Sequence, residues 1–440
     1  MITQRGFVVT FAGVLLLTSG FSFVNFYFVL MGVYLLIGLV VTLPLFALTA
    51  NIAGIEIDRQ IDKVKLFSGD FLRVRVTIRN ISRRHFDFIE VHDQYPETWI
   101  LAIGENFIAS RIEPGSSITF AYILQARMRG SYFIGPTEVI MRDRLGFHYY
   151  KRTLKAHTEV LVYPTWKDVR RMEALGKQRQ LGLMFGSHRT KTVGMGSDFV
   201  GFKEYQPGDE FRSIDWKTSA KRGDMVIRQY EMEKNIQVIC MVDTSGSMGN
   251  GYPENTKLEY AIRAAVLLTH IGLERKDLIG TCVFSDIVHS YVPPGTSPNH
   301  MYNVLEALAG AEPRGWSDYE TAISYVVQQS KKRSFFIWLT DLEESPAPLL
   351  NAMKALVANG HKAMVISPFG PWFEAPVGQF GPVEKVLSEA VSEELWERRN
   401  KIAQALARFS IEVINVGPED FLPTIIKTYE QAKQKGVAMF

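Results

Sequence analysis

Apolar residues dominate the start of the chain so completely that positions 6–55 contain no charged side chain. A single helix over the apolar part of this stretch, Phe7 to Leu48, would be about 63 Å long at roughly 1.5 Å per residue. The hydrocarbon core of a bilayer is only about 30 Å thick, and the stretch is also too long for a cleaved signal peptide. With its polar break at 19–25, the pattern predicts a transmembrane hairpin in residues 1–50, with spans near 6–22 and 26–48.

Between positions 55 and 165 the pattern changes to short runs in which apolar and polar residues alternate. A period of two residues is typical of strands that bury one face. The runs lie at 71–79, 86–91, 117–124, 132–141 and 158–162. Turn residues separate them, so 55–165 is predicted to be a β-sandwich. No metal cluster, nucleophile or phosphate-binding loop stands out in it, which favours a spacer or docking role.

From position 235 onward, apolar strand patterns alternate with helical ones. Strands are predicted at 236–242, 279–284, 287–292, 334–340, 361–367 and 410–416. Helices are predicted at 258–273, 298–309, 318–331, 346–358, 384–408 and 419–435. Such alternation implies a parallel sheet covered on both faces, so 235–440 is predicted to be an α/β doubly wound, Rossmann-like domain. The basic, poorly periodic stretch 166–234 is predicted to be a linker.

Charge adds an orientation to the predicted hairpin. Arg5 precedes the first span, Arg59, Lys63 and Lys65 follow the second, and the tip between the spans has no charged residue. Positive residues remain preferentially on the cytoplasmic side of a membrane. Both termini and the soluble regions are therefore expected to face the cytoplasm, on a multi-pass protein of the cytoplasmic membrane.

Composition narrows the function mainly by exclusion. The net charge of +3 over 440 residues is close to balance, so the chain as a whole does not have the basic character of a nucleic-acid binder. The two cysteines, Cys240 and Cys282, both lie inside apolar strand patterns. They are predicted to be buried thiols, and nothing indicates a disulfide framework.

Candidate chemistry follows the predicted strand 236–242, where Asp243, Ser245 and Ser247 alternate with small residues. Ligands of open α/β sheets bind just beyond the carboxyl ends of strands. A carboxylate and two hydroxyls at that place are oxygen donors, which suit a hard cation such as Mg²⁺ or Mn²⁺. The alternative is that these side chains only form a turn and cap the next helix.

The five residues 243–247, D-T-S-G-S, resemble the metal-ion-dependent adhesion site (D-x-S-x-S) of von Willebrand factor A domains. The resemblance implies that Ser245 and Ser247 bind the metal directly and that Asp243 acts mainly through water. It also implies that an acidic group of a partner protein often fills the last coordination position.

Two further segments resemble the remaining loops of that site. In 314–318, Ser317 stands where the family usually has threonine, and the change keeps a hydroxyl. Asp341 follows the apolar run 335–339 and a threonine, and it matches the aspartate of the third loop. The resemblance thus completes a metal set of Asp243, Ser245, Ser247, Ser317 and Asp341.

Two rival interpretations compete with a metal site. Residues 245–249 read S-G-S-M-G, which is close to the G-x-S-x-G nucleophile elbow of serine hydrolases but lacks its first glycine. A hydrolase using Ser247 would need an acid and a histidine, for which Asp341 and His361 are the candidates, although His361 opens a strand pattern. The other rival is a metal-free structural scaffold with a degenerate site.

A second resemblance covers nearly the whole chain. Residues 205–221, Y-Q-P-G-D-E-F-R-S-I-D-W-K-T-S-A-K, are similar to the signature of the bacterial family called domain of unknown function 58. Segments 129–136 and 143–147 are similar to earlier motifs of the same family. Its members are often encoded beside AAA+ ATPases of the MoxR class and are thought to assist them. No chemical role is established for this signature in the family.

Together the two resemblances imply a non-enzymatic protein of the bacterial inner membrane. It would be a divalent-metal-dependent adaptor or co-chaperone for a MoxR-type AAA+ ATPase or its protein client, bound through an acidic residue. Neither a nucleic acid nor a small-molecule substrate is expected.

Overall fold

Two compact units make up the chain, Met1–Thr165 and Trp166–Phe440. The computed structural model describes residues 1–49, 52–165, 193–194, 198–207, 209, 211–231, 235–330, 332–374 and 382–434. The first unit contains the apolar N-terminal helices and a β-rich region. The second contains the segment with the signature motif and a region of alternating strands and helices.

Two apolar helices open the chain, α1 at Gln4–Ser22 and α2 at Phe26–Thr49. They contact each other closely through glycines, since a Cβ on Gly13 would lie 2.9 Å from the Leu36 side chain. Away from this seam their apolar side chains are exposed, for example Phe11 and Tyr34. Both helices are long and apolar enough to cross a membrane, and their bounds agree with the predicted spans.

The following region is rich in strands, as predicted. Its strands are β1 Ile55–Ile61, β2 Lys65–Phe67, β3 Phe71–Asn80, β4 Phe86–Asp93, β5 Ile100–Ile103, β6 Phe107–Ile112, β7 Ser117–Gln125, β8 Gly130–Ile134, β9 Thr137–Arg142, β10 Tyr149–Leu154 and β11 Thr158–Tyr163. They form sheets of order β1-β3-β7-β5, β10-β9-β4-β6 and β2-β11-β8. Alternate residues of β3 are fully buried in the shared core, so the period of two reports burial directly.

One run of this region, 132–141, does not form a single strand as its pattern suggests. The run 132–141 is divided between β8 and β9, which belong to different sheets. The chain turns at Gly135, whose φ is +104° and whose added Cβ would lie 2.4 Å from the Ala156 carbonyl oxygen. Only glycine adopts this conformation in so little space, but the alternation of apolar and polar residues continues across the turn and conceals it.

A buried ion pair holds the β-rich region together. Asp93 is fully buried and accepts a hydrogen bond of 2.9 Å from Arg59 Nε, besides one from Arg59 Nη2. Tyr122 and Thr137 donate to the same carboxylate over 2.8 and 2.6 Å. Four donors therefore compensate the desolvated charge. Burial and the negative charge of Asp93 raise the pKa of Tyr122, which stays a neutral donor.

Parts of the predicted linker have regular structure, although 166–192, 195–197, 208, 210 and 232–234 lie outside the described residues. Its elements are β12 Val193–Gly194, β13 Asp198–Glu204, the short helix α3 Trp216–Arg222 and β14 Val226–Glu231, with sheet order β12-β14-β13. In the signature motif Asp215 caps α3 by accepting from Thr218 N over 3.0 Å, and it pairs with Arg228 Nε over 2.7 Å. The described residues of the motif therefore lie between β13 and β14 and include most of α3.

Six strands form the sheet of the C-terminal region. They are β15 Gln237–Asp243, β18 Leu278–Phe284, β19 Val288–Gly295, β20 Phe335–Leu339, β21 Lys362–Pro368 and β22 Glu412–Val416, and a small hairpin, β16 Gly251–Tyr252 and β17 Asn255–Thr256, lies apart. The order β19-β18-β15-β20-β21-β22 means that successive strands are added to one side of β15 and then to the other. All pairings are parallel except that of β19.

The antiparallel direction of β19 departs from the predicted parallel sheet. Only three residues, 285–287, connect it to β18, and a parallel crossover needs a dozen or more. The other predicted strands and the helices agree with the structure to within a few residues.

Helices cover both faces of this sheet, so every residue of its strand β15 is buried. They are α4 Lys257–Glu274, α5 His300–Ala309, α6 Tyr319–Gln329, α7 Pro346–Ala358, α8 Gly370–Glu374, α9 Pro382–Ala407 and α10 Phe421–Gln434. Side chains of α6, α7 and α9 share one apolar cluster with Ile239 and Met241. Cys240 and Cys282 are free and buried, as predicted, and burial raises the pKa of Cys282 to about 12.

Candidate functional site

The candidate site lies where β15 and β20 end side by side. Val242 pairs with Leu339, so Asp243 and Thr340, the next residues, emerge at the same level of the sheet. The strand order reverses between these two strands. In open α/β sheets, this reversal opens a crevice at the carboxyl ends of the strands, where ligands bind.

Asp243 is the centre of a buried hydrogen-bond network. Its Oδ2 accepts from Ser317 Oγ over 2.7 Å and from Thr340 Oγ1 over 2.6 Å, while its Oδ1 accepts from Ser245 N over 2.8 Å. Because Thr340 donates to the carboxylate, the Tyr319 hydroxyl 2.9 Å away must donate to Thr340. The network therefore fixes the direction of each hydroxyl around Asp243.

Burial raises the pKa of Asp243 to about 6, and the negative charge of nearby Asp341 acts in the same direction. Hydrogen bonds from Thr340 and Ser317 oppose this shift by favouring the carboxylate. A carboxyl group this deeply buried gains most from a nearby cation, because the protein interior screens charge weakly.

Ser245 and Ser247 place two hydroxyl oxygens 3.2 Å apart beside this carboxylate. They flank the start of a 3₁₀ turn, Gly246–Gly249, which directs both side chains to the same side. Neighbouring ligands of an octahedral Mg²⁺, each about 2.1 Å from the ion, are about 3.0 Å apart. Ser317 already donates its proton to Asp243, so the lone pairs of its oxygen remain available to a cation.

Backbone hydrogen bonds hold the loop that carries Ser317 against the ends of the strands. Arg314 N donates to Thr244 O over 2.7 Å, and Gly246 N donates to Gly315 O over 3.0 Å. Gly315 has a φ of +68°, and a Cβ there would lie 2.6 Å from Asp286 Oδ1. Only a glycine fits this approach, so the loop is fixed by its backbone.

The loop is fixed a second time by polar side chains at the turn between β18 and β19. His289 Nδ1 lies 2.9 Å from Arg314 Nη2, and its Nε2 lies 2.6 Å from Ser285 Oγ. An arginine can only donate, so Nδ1 is the acceptor and Nε2 carries the proton. His289 thus donates to Ser285 and cannot act as its base, and burial together with Arg314 lowers its pKa.

Asp341 follows Thr340 and faces a buried ammonium group. Lys257 Nζ lies 3.3 Å from Asp341 Oδ2 and 2.6 Å from Glu343 Oε1. The side chains of Lys257 and Asp341 are both fully buried, whereas 30% of the Glu343 side chain is exposed. The carbonyl oxygen of Asp341 accepts from the buried Arg399 side chain. Both ends of Asp341 are therefore held by cations of this chain.

The donor set fits a divalent metal held mainly by hydroxyls and water. The hydroxyl oxygens of Ser245 and Ser247 lie 3.2 Å apart, and Ser317 Oγ donates to Asp243. The Asp341 carboxylate is near enough to raise the pKa of Asp243. Within the described residues, no group of three or more His, Cys, Asp or Glu could hold a metal. A carboxylate-rich calcium or zinc site is thus not formed by that part of the chain.

All five predicted site residues therefore lie at one edge of the sheet, while their metal role stays a prediction. Sequence reasoning missed Thr340, Tyr319 and Lys257, which complete the network. For Lys257 a signal exists, because it stands four residues before Ala261 on the buried stripe of α4, where a lysine is out of place. For Tyr319 and Thr340 the sequence offers no comparable sign.

The hydrolase interpretation with His361 is wrong. His361 precedes β21 and accepts from Ser334 N through Nδ1, over 3.1 Å, at the amino ends of the strands. Ser247 follows the carboxyl end of β15, and a strand of about seven residues is roughly 23 Å long. The two side chains therefore lie at opposite edges of the sheet.

Comparison with known proteins gives one family-model match and several partial matches to relatives and solved structures. The sequence model of a family described as "Protein of unknown function DUF58" matches residues 201–371. "Uncharacterized protein Mb1516" of Mycobacterium bovis is 25% identical over 208 residues, which are 46% of this chain and 64% of that protein. "Uncharacterized protein YeaD" of Bacillus subtilis is 25% identical over 226 residues, which are 49% of this chain and 54% of that protein. The match thus spans less than two thirds of either relative.

Two solved structures are also similar. One is described as the conserved hypothetical protein BatB from Bacteroides thetaiotaomicron, with 17% identity, a TM-score of 0.33, and coverage of 45% of this chain and 100% of that chain. The other is an aerotolerance-related membrane protein from Bacteroides fragilis NCTC 9343, with 18% identity, a TM-score of 0.31, and coverage of 46% and 100%. The family match includes the signature at 205–221, so residues 201–371 match the DUF58 family model, in agreement with the resemblance seen in the sequence.

Proposed function

We propose that this protein is a membrane-anchored adaptor that binds another protein through a divalent metal, Mg²⁺ or Mn²⁺, in a von Willebrand factor A-like domain. The observation that carries the proposal is the geometry at the buried carboxylate of Asp243. The carboxylate accepts from Ser245 N and Ser317 Oγ, and the Ser245 and Ser247 hydroxyl oxygens lie 3.2 Å apart. The strand order, which corresponds to 3-2-1-4-5-6 in doubly wound folds, supports assigning residues 235–440 to that domain type.

A metal at this place would be held by Ser245 and Ser247 directly, with Ser317 beside it and Asp243 and Asp341 acting through water. When bound, such a metal supplies an electrophilic point that attracts an outside oxygen ligand. Hydroxyl and water ligands carry no charge, so the ion would keep most of its own. A partner's Asp or Glu would bring one negative charge directly to the ion in a single contact.

The surface beside the site suits a protein partner. Trp316, directly before Ser317, has 61% of its surface exposed, and the loop that carries it is fixed by backbone contacts to Thr244 and Gly246. Exposed tryptophans on rigid supports are frequent anchors of protein interfaces. A partner that brings a carboxylate to the metal would cover this side chain.

The membrane part of the proposal rests on the exposed apolar surface of α1 and α2. Most of the apolar stretch of each helix is exposed, since only 17% of it is buried in α1 and 11% in α2. A core helix of a soluble protein would be mostly buried, so these helices need an apolar environment, which a bilayer provides. With cations at both ends of the hairpin, the soluble parts would face the cytoplasm.

The partner we propose is a MoxR-type AAA+ ATPase or its client, which the DUF58 resemblance nominates. The test is co-purification of the tagged full-length protein, in detergent, with a co-expressed MoxR-type ATPase. Binding should require Mg²⁺, disappear with EDTA, and be lost in Ser247→Ala. The matched control is Ser388→Ala, which removes the hydroxyl of an exposed serine on α9.

Equal recovery of the ATPase in EDTA and with Ser247→Ala would move the contact away from the metal site. The adaptor role would then belong to the β-rich region or to the signature motif at 205–221. Folding of each variant is checked by its protease resistance. Ser247→Ala should stay folded, because Ser247 lies at the edge of the network and contributes one hydroxyl contact to it.

A further inference from the structure

Lys257 is the least expected charged group in the molecule. It is the first residue of α4, directly after the N-cap Thr256, whose side chain accepts from Glu259 N over 3.2 Å. Its side chain is fully buried, with the ammonium group held between Asp341 and Glu343. Lysines are almost never fully buried unless they are paired, so this position has a specific electrostatic purpose.

Stability alone does not explain a buried lysine. Replacing a buried ion pair by well-packed apolar side chains is often neutral or stabilising, because desolvation offsets the attraction between the charges. The rest of the buried stripe of α4 is apolar and includes Ala261 and Leu268. An apolar residue at 257 paired with one at 341 would satisfy the same packing.

The sum of the charges around Asp243 and Asp341 indicates how Lys257 would affect metal binding. Asp243, Asp341 and the partly exposed Glu343 contribute three negative charges. The buried Lys257 and Arg399, which both contact Asp341, contribute two positive charges, so the group has a net charge of −1. Adding a divalent cation leaves this group with one positive charge in excess. Adding one carboxylate from outside then brings the sum to zero, and weak screening in the interior makes this balance matter.

We infer that Lys257 competes with the metal for the negative charge of Asp341 and so keeps the metal affinity of the free protein low. Metal and partner carboxylate are then retained together. Glu343 takes part in this competition, since its carboxylate lies closer to the Lys257 ammonium group than the Asp341 carboxylate does. Its carboxylate draws Lys257 away from Asp341 and leaves Asp341 available to the metal's water ligands. This inference rests on the proposed metal site and adds its regulation.

The experiment measures Mn²⁺ binding alone, with the full-length protein in detergent and the free Mn²⁺ signal followed by electron paramagnetic resonance. Lys257→Met keeps the length of the side chain and removes its charge, and it should bind Mn²⁺ at least about tenfold more tightly. Glu343→Gln should bind several-fold more weakly, because the ammonium group then loses the charged carboxylate that competes with Asp341 for it. Lys354→Met, at an exposed position of α7, is the matched control and should not change the affinity.

The opposite signs separate this role from a purely structural one, which would weaken binding in both variants. Glu343 is partly exposed, so Glu343→Gln tests the inference even if Lys257→Met fails to fold. Unchanged affinity in either folded variant, while the wild type binds Mn²⁺ and Ser247→Ala does not, would overturn the inference and leave the metal site intact. Absence of Mn²⁺ binding in the wild type and in Lys257→Met would overturn both.

Discussion

Thr340 offers the sharpest test of the hydrogen-bond network, because valine has the same shape and no hydroxyl. The Thr340 hydroxyl donates to Asp243 Oδ2 over 2.6 Å and accepts from Tyr319 over 2.9 Å, and all of its surface is buried. Thr340→Val therefore removes one hydrogen bond to a charged group and one between neutral groups, without changing the packing.

The magnitude follows from these two contacts. A hydrogen bond to a charged group contributes about 1.5–3 kcal/mol and a neutral one about 0.5–1.5 kcal/mol. Thr340→Val should thus lower the free energy of unfolding of the C-terminal region by about 2–4 kcal/mol. Thr340→Ser keeps the hydroxyl and loses one methyl group, which should cost only about 1 kcal/mol.

Pulse proteolysis in urea measures this free energy on the full-length protein in detergent. Tyr319→Phe is added in both backgrounds to form a double-mutant cycle. In the wild type it removes the donor to Thr340, but in Thr340→Val that acceptor is already gone. Tyr319→Phe should therefore be less destabilising in the valine background than in the wild type.

Equal costs for Thr340→Val and Thr340→Ser would refute the reasoning, since the hydroxyl would then contribute nothing. Strict additivity with Tyr319→Phe would show that the two hydroxyls do not interact. The first result would mean that Asp243 is oriented by Ser245 and Ser317 alone.

Three further predictions concern other parts of the molecule. Arg59→Met or Asp93→Leu alone should destabilise the β-rich region by about 3–5 kcal/mol, and the double variant by less than the sum, because each single change leaves a buried charge unpaired; urea unfolding of the four proteins measures this. A phosphatase reporter inserted at Ser22, in the tip of the hairpin, should be active on the far side of the membrane, and one fused after Lys65 should be inactive; the reverse would invert the topology. Trp316→Ala should weaken binding of the ATPase at least about tenfold without changing Mn²⁺ affinity, and an unchanged pull-down would place the interface elsewhere.

The sequence predicts well those elements whose pattern extends over many positions. The helices α1 and α2 are recognisable from an apolar run without a charged residue, and strands such as β3 from the burial of every second residue. The break between β8 and β9 is different, since it depends on one glycine conformation at Gly135 that the alternation does not register.

The candidate site is predicted only where its residues are close in sequence or match a known loop. Asp243, Ser245 and Ser247 share one strand end and are therefore visible as a motif. Lys257 and Tyr319 meet Asp341 and Thr340 only through the parallel pairing of distant strands and the packing of helices on them. Such contacts follow from tertiary structure, so periodicity and spacing carry no record of them.

The central claim is that the hydroxyl pair beside Asp243 binds a divalent metal. Its most direct test is the electron paramagnetic resonance titration of Mn²⁺ with the wild type and with Ser245→Ala/Ser247→Ala, using Ser388→Ala/Ser392→Ala on α9 as the control for two lost serines. We expect one bound Mn²⁺ per chain in the wild type and in the control, displaced by excess Mg²⁺, and none in the site variant. Equal Mn²⁺ binding by the wild type and the site variant would contradict this account.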